Sequence, residues 1–305
     1  MFTSALQAIG KTPLLRLGLS EGLPGTVWLK LENKNPGGSI KDRVALYLLE
    51  KALAAGEIAP GGTVVEATSG NMGIGLALVS ALRGLKCVLT MPESMSVERR
   101  NLLKALGAEL VLTPAAEGMA GAVARSRELA AGRGGYIPGQ FTNPLAVEAH
   151  YASTGPEILR DSNGKMDVLL AGVGSGSSLT GTGRYLKEHI PGFCVIAMEP
   201  AASPVISGGK AAPHPIQGIG AGFIPDILDR NLLDEVVTVG GDDAMNMARR
   251  LMREEGVLAG ISTGANVCAA LAVAAREEMR GKNIVTFACD SGERYMSTPL
   301  FTNIA

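Results

Sequence analysis

Between Lys41 and Gly56 the apolar side chains Val44, Leu48 and Ala52 recur at intervals of four, which predicts a helix with one inward stripe and a stop at Gly56. The period then changes. Residues 63–67 form a β-branched run, read as a strand, and a polar, glycine-bearing segment leads from it into an apolar helix ending at Leu82. The alternation repeats: strand 87–91, helix 97–106 with Arg99, Arg100 and Lys104 outward, strand 110–112, helix 119–131. Farther on come a helix over 144–160, a buried strand over 166–171, a helix from about 178 to 188 and a strand over 194–198. Residues 204–223 are irregular and rich in Gly and Pro; helices over 245–255 and 265–279 follow, then a buried strand over 283–289. Ahead of all these, 12–20 and 26–32 read as two short strands around a Gly/Pro turn. Strands alternating with helices of about 10–15 residues predict an α/β fold with largely parallel sheets. No repeat, low-complexity tract or polar linker divides the chain, so the pattern alone sets no domain boundary.

Composition narrows the function. The 305 residues allow one large or two medium domains, and a net charge of −1 gives no electrostatic reason for nucleic acid or an anionic membrane as partner. The four cysteines are widely spaced without a C-x-x-C pair and read as thiols of a reducing cytosol. The three histidines lack ligand spacing, which argues against a metal site and against a His-based hydrolase. No basic-then-apolar leader opens the chain, so the expectation is a cytoplasmic protein. Residues 256–275 carry no charge over 20 positions, long enough to span a bilayer, but Ser262, Thr263, Gly264 and Asn266 cluster there; a strand end, a polar loop and a buried helix fit better.

Four stretches carry candidate chemistry. In Pro36-Gly37-Gly38-Ser39-Ile40-Lys41-Asp42-Arg43, Ser39 and Asp42 have capping-box spacing, so Asp42 is expected to reach back to the turn. Lys41 falls in the first helical turn, where the positive end of the helix disfavours its ammonium form. It is either an amine nucleophile for a carbonyl cofactor or a solvated lysine beside an Asp/Arg pair. Gly172-Val173-Gly174-Ser175-Gly176-Ser177-Ser178 follows a strand and opens a helix, which suits an anion or is a plain βα turn. It has no P-loop lysine, and Leu179 stands where G-x-G-x-x-G needs its last glycine. Thr68-Ser69-Gly70-Asn71-Met72 is a second strand-end loop entering a helix, an anion site or a helix cap. Ile261-Ser262-Thr263-Gly264 reads as a helix start with Ser262 as N-cap, and Gln217-Gly218-Ile219-Gly220-Ala221-Gly222 as either a flexible connection or a site-lining loop.

These motifs, in this order, resemble the cysteine synthase (O-acetylserine sulfhydrylase) and β-cyanoalanine synthase family of fold-type-II pyridoxal-phosphate enzymes. The resemblance runs from Ile9-Gly10-Lys11-Thr12-Pro13 to Ser291-Gly292-Glu293-Arg294-Tyr295. It implies two α/β domains with mainly parallel sheets, as in tryptophan synthase β, with the cofactor in the interdomain cleft. Residues 1–145 would form the first domain, with about 42–145 a mobile subdomain and the strands within about 12–34 joining the C-terminal sheet; 146–305 would form the cofactor-binding domain.

It further implies pyridoxal 5'-phosphate on Lys41 as a Schiff base, with the phosphate cradled by Gly174, Ser175, Gly176, Ser177 and Ser178. Asn71 would bond the cofactor's ring oxygen and Ser262 would face its pyridine nitrogen. The loop of Thr68, Ser69, Gly70, Asn71 and Met72, with Gln140, would clamp the substrate carboxylate, one hydrogen bond short because the Met72 thioether cannot donate, and Gly218 and Gly220 would line the substrate side. The implied reaction is β-replacement through an α-aminoacrylate, making L-cysteine from O-acetyl-L-serine and sulfide. β-Cyanoalanine synthase is the alternative, then a cystathionine- or lanthionine-forming relative or a cysteine desulfhydrase. Met72 and Ser175 stand where sulfhydrylases carry threonine, Ser177 where the family usually has glycine, and Ala171 departs from both patterns. A homodimer, and the C-terminal peptide of serine acetyltransferase as an occupant of the cleft, are expected on the same ground.

Overall fold

The computed structural model describes residues 1–68, 70–95 and 97–303. In chain order the elements are β1 (Leu14–Arg16), β2 (Thr26–Lys30), α1 (Lys41–Ala54), β3 (Thr63–Ala67), α2 (Asn71–Arg83), β4 (Lys86–Pro92), α3 (Val97–Ala105), β5 (Glu109–Thr113) and α4 (Gly118–Arg133). They continue with α5 (Leu145–Tyr151), α6 (Thr154–Asp161), β6 (Val168–Gly172), α7 (Ser177–His189), β7 (Cys194–Pro200), β8 (Glu235–Val239), α8 (Gly241–Glu254), α9 (Ile261–Ala274), β9 (Asn283–Phe287) and α10 (Pro299–Thr302). The chain forms two compact units, Met1–Ile9 with Asn35–Ala146, and Gly10–Lys34 with Val147–Ala305.

The first unit holds a three-stranded parallel sheet in the order β3-β4-β5. Tyr136 extends it: Val65 N–H donates to Tyr136 O and Tyr136 N–H to Thr63 O, at 2.8 and 2.9 Å. Val65, Val88, Leu129 and Ala130 pack α4 onto this sheet. The second unit holds six strands in the order β1-β2-β9-β6-β7-β8, parallel except for β1. β6 is buried along four of its five residues, as expected for a strand with helices on both faces. β6 continues to β7 on one side while β9 lies on its other side, so the crossovers diverge between β6 and β9. Open α/β sheets place their ligands at such a switch point, at the carboxyl ends of the strands.

Several sequence expectations need correction. The helix expected over 144–160 is broken into α5 and α6. Pro156 is the third residue of α6 and has no N–H to continue a ladder from α5, and the Ser153 hydroxyl takes up the Ala149 carbonyl at 2.5 Å. The run 235–239 is a strand, β8, that the pattern did not single out. Ser262, Thr263 and Gly264 are not a polar loop; α9 begins at Ile261, capped by Gly260, so Ser262 lies inside the first turn and is no N-cap. α9 ends at Ala274, and 277–279 is a separate 3₁₀ turn. The uncharged run 256–275 therefore becomes a 14-residue helix whose Ile261, Val267 and Val273 pack in the core of the second unit. Among the described residues no helix is long and apolar enough to cross a membrane.

Candidate functional site

In the first unit the lysine turn is built by a carboxylate. Asp42 is fully buried, and its Oδ2 accepts the Gly37 N–H at 2.5 Å. The Asp42 carboxylate thus reaches back to the Gly-Gly turn, while its own N–H donates to Ser39 O at 3.3 Å. A Cβ on Gly37 would stand 2.5 Å from Asp42 Oδ1, and Gly38 has φ of +76°, so neither position accepts a side chain without strain. The Ser39 hydroxyl accepts the Lys41 N–H at 3.3 Å, Ile40 caps the helix, and Lys41 is its first residue, half-buried.

α2 packs closely on α1 near their starts. A Cβ on Gly75 would lie 3.0 Å from Ala45 Cβ and 3.2 Å from the Lys41 carbonyl oxygen. That approach brings the first turn of α2, with Asn71 and Met72, to the lysine turn. Gly70 caps α2 and its N–H donates to Thr68 Oγ1 at 3.3 Å. Met72 is 2% exposed. Ser69 lies outside the described residues.

Gln140 is buried and follows Gly139, whose N–H donates to Glu66 Oε2 at 2.9 Å. Glu66 is a carboxylate inside β3 that the reading of that run as a strand left unused. Burial pushes its carboxyl up to about 7, against the Gly139 and Ala67 N–H groups, which favour the ionised form. The lone charge within a β-branched run was the signal available in the sequence. Burial likewise holds Cys87 as a thiol, pushed up to about 12, and Cys194, pushed up to about 11. Neither is an activated nucleophile. Among the described residues no group of three or more His, Cys, Asp or Glu could hold a metal ion.

The second unit places the glycine-rich loop at the carboxyl end of β6. Gly176 caps α7 in the left-handed region, at φ of +82°, and Ser177 is the first helical residue. The Ser175 and Ser177 hydroxyls are 3.0 Å apart, and both residues are buried. Ser178 and the N–H groups of the first turn complete the cradle, where the positive end of the helix dipole favours an anion. A Cβ on Gly174 would collide with the Gly218 carbonyl oxygen, so the 217–222 loop lies directly against the cradle. Gly220 N–H donates to Val173 O at 2.9 Å, and His214 Nε2 meets Gly220 O at 2.9 Å. Gly218 and Gly220 both have positive φ, at +94° and +63°. A Cβ on Gly218 would lie 4.0 Å from Ser262 Oγ, so this unit gathers the cradle, the 217–222 loop and Ser262 at one place. Asn266, one turn after Ser262, escaped the sequence reading as a site residue. Its Oδ1 accepts the Gly172 N–H at 2.8 Å and its Nδ2 donates to Phe287 O at 2.9 Å.

Comparison with known proteins matches this geometry to a family. The family of pyridoxal-phosphate dependent enzymes matches residues 5–290. Cysteine synthases of Staphylococcus aureus strains are 52% identical over 298 residues, covering 97% of this chain and 96% of the relative. The crystal structure of the cysteine synthase of Entamoeba histolytica superposes with a TM-score of 0.96 at 39% identity, covering 100% of this chain and 92% of that one. That of a hydrogen sulfide-producing enzyme from Fusobacterium nucleatum superposes with a TM-score of 0.92 at 41% identity, covering 97% and 100%.

Proposed function

The chain belongs to the pyridoxal-phosphate-dependent enzymes, and on that premise we propose that it makes L-cysteine from O-acetyl-L-serine and sulfide by β-replacement. The observation that carries this reading is the glycine-lined cradle at the end of β6, whose Gly174 has its Cβ space filled by the Gly218 carbonyl. A glycine- and serine-lined strand end of this kind, at a helix N-terminus, fits a phosphate monoester. When bound, pyridoxal phosphate supplies an aldehyde that bonds the substrate amine and a ring that takes up electrons as the α-proton leaves.

The chain's own residues supply position and proton transfer. Gly174, Ser175, Gly176, Ser177 and Ser178 hold the phosphate. Asn71 donates to the ring oxygen, and the neutral Ser262 hydroxyl partners the ring nitrogen. Thr68, Ser69, Gly70 and Gln140 take the substrate carboxylate, with Met72 as an apolar wall. Gly218 and Gly220 leave room on the substrate side. Lys41 anchors the aldehyde at rest. Freed by the substrate, its amine takes the α-proton as acetate leaves the β-carbon, and its ammonium returns that proton after bisulfide has added at the β-carbon. Lys41 and Asn71 belong to the first unit, the cradle and Ser262 to the second.

The test compares kcat/KM for O-acetylserine plus sulfide with that for cysteine plus cyanide; the first should be the larger. A ratio reversed by about tenfold, or roughly 1.4 kcal/mol, favours β-cyanoalanine synthesis instead. Burial of Met72 at the second position of α2, where a threonine would offer a hydroxyl, supports keeping that second reading. Met72→Thr then shifts the ratio toward the sulfide reaction, since a hydrogen bond to a charged group is worth about 1.5–3 kcal/mol. A homodimer, and the acetyltransferase peptide as a competitor of O-acetylserine, belong to the same proposal; light scattering and peptide inhibition test them.

A further inference from the structure

We infer that Asn266 is the positioning residue of the cradle, its side-chain amide standing in for backbone hydrogen bonds that β6 and β9 do not make to each other. This rests on the reading of 174–178 as the holder of the cofactor phosphate.

β6 pairs with β7 along all five of its residues, and β9 pairs with β2 along all five of its own. Between β6 and β9 the register covers only Val168 with Ile284 and Leu169 with Val285. The two strands therefore part company over their last residues, at the switch point where the cradle begins. Asn266 stands in that gap, 1% exposed. Its Oδ1 accepts from Gly172 N–H on β6 and its Nδ2 donates to Phe287 O on β9. One acceptor toward one strand and one donor toward the other is what a peptide unit of an intervening strand would offer. A side-chain amide is the group that carries both on one carbon. Space is closed around it: a Cβ on Gly172 would lie 3.2 Å from Asn266 Oδ1 and 2.9 Å from Met198 Cε.

Gly172 is two residues before Gly174, the first of the cradle glycines. Ser262 precedes Asn266 by four positions on α9, and residues so spaced share one helix face. A single face of α9 thus presents a hydroxyl and, one turn behind, the amide that fixes where the cradle starts. Through Asn266 the distance between the phosphate site and the ring-nitrogen partner is set by the rigid helix rather than by the loop.

Two variants test this on the full-length enzyme. Asn266→Asp has nearly the same shape and keeps the acceptor for Gly172, but sets an oxygen against the Phe287 carbonyl. Asn266→Ala removes the amide from Gly172, Phe287 and the Cys289 sulfur, which Nδ2 meets at 3.4 Å, and adds no charge. Pyridoxal phosphate is titrated into cofactor-free protein and followed by its visible absorbance, and the ³¹P resonance of the bound phosphate is recorded. Unfolding of the cofactor-free protein gives the folded fraction, to which each affinity is referred. The expected result is affinity weakened about tenfold or more in both variants, since each leaves a buried group unsatisfied, with a displaced ³¹P resonance. Affinity within about twofold of wild type and an unmoved resonance overturn the inference. Weakened affinity with an unmoved resonance also overturns it, because a general loss of stability would then account for the change. If wild-type protein itself binds no cofactor, the functional reading fails instead, so the two failures are distinguishable.

Discussion

At the scale of single residues, Lys41 tests the proposed chemistry and Glu66 the pH dependence of stability. Lys41 sits first on its helix, with the turn before it closed by Asp42. Lys41→Ala should lower kcat/KM by at least about a thousandfold, within the range for a lost general base. Borohydride reduction followed by peptide mapping should label Lys41 in wild type; a label on another lysine refutes the assignment. Glu66 gives a second prediction. Its folded value is raised to about 7 from an ordinary 4.5 by burial. A raised carboxyl favours the fold fully below the unfolded value, and that advantage is lost as pH rises through the folded one. Glu66→Gln is neutral throughout, so wild-type stability relative to it should fall by on the order of 3 kcal/mol between about pH 4.5 and 7. Denaturant unfolding at several pH values checks this; a difference that is flat or grows with pH refutes it.

At the scale of elements, each unit has glycines that are required by their neighbours. Gly37 makes room for the Asp42 carboxylate, Gly75 for α1, and Gly174 for the 217–222 loop. Gly174→Ala must push that loop away from the cradle, an overpacking cost of about 1–3 kcal/mol. Cofactor affinity should drop by roughly tenfold to a hundredfold; titration at wild-type level would show the loop yielding freely. A buried ion cluster braces the second unit away from this junction. Lys30 is fully buried and meets Glu157 at 2.9 Å, Asp161 at 3.4 Å and the Thr12 carbonyl at 2.5 Å, joining β2 to α6. Glu157 also accepts the Lys11 N–H at 2.8 Å, so α6 is tied to the segment before β1 as well.

At the scale of the whole molecule, cofactor and fold are linked. A ligand that binds only the folded chain stabilises it by about 2.7 kcal/mol at about 100 times its Kd. Calorimetry should therefore find a Tm that climbs with free pyridoxal phosphate, and a Tm indifferent to it would count against the cofactor site. The sequence by itself determined the α/β alternation, the lysine turn, the glycine-rich ends of strands and the order of motifs that the family resemblance reads. Those signals are local: a period of 2 or 3.6, a glycine where φ turns positive, a helix start within a few residues. Only the tertiary structure decided that the Asp42 carboxylate takes the Gly37 N–H, that Ser262 lies within a helix, that Glu66 supports Gly139, and that Asn266 bridges β6 and β9. Such partners are up to 94 positions apart in the chain. They are chosen by which polar groups burial leaves in need of one another, and no spacing along the sequence encodes that.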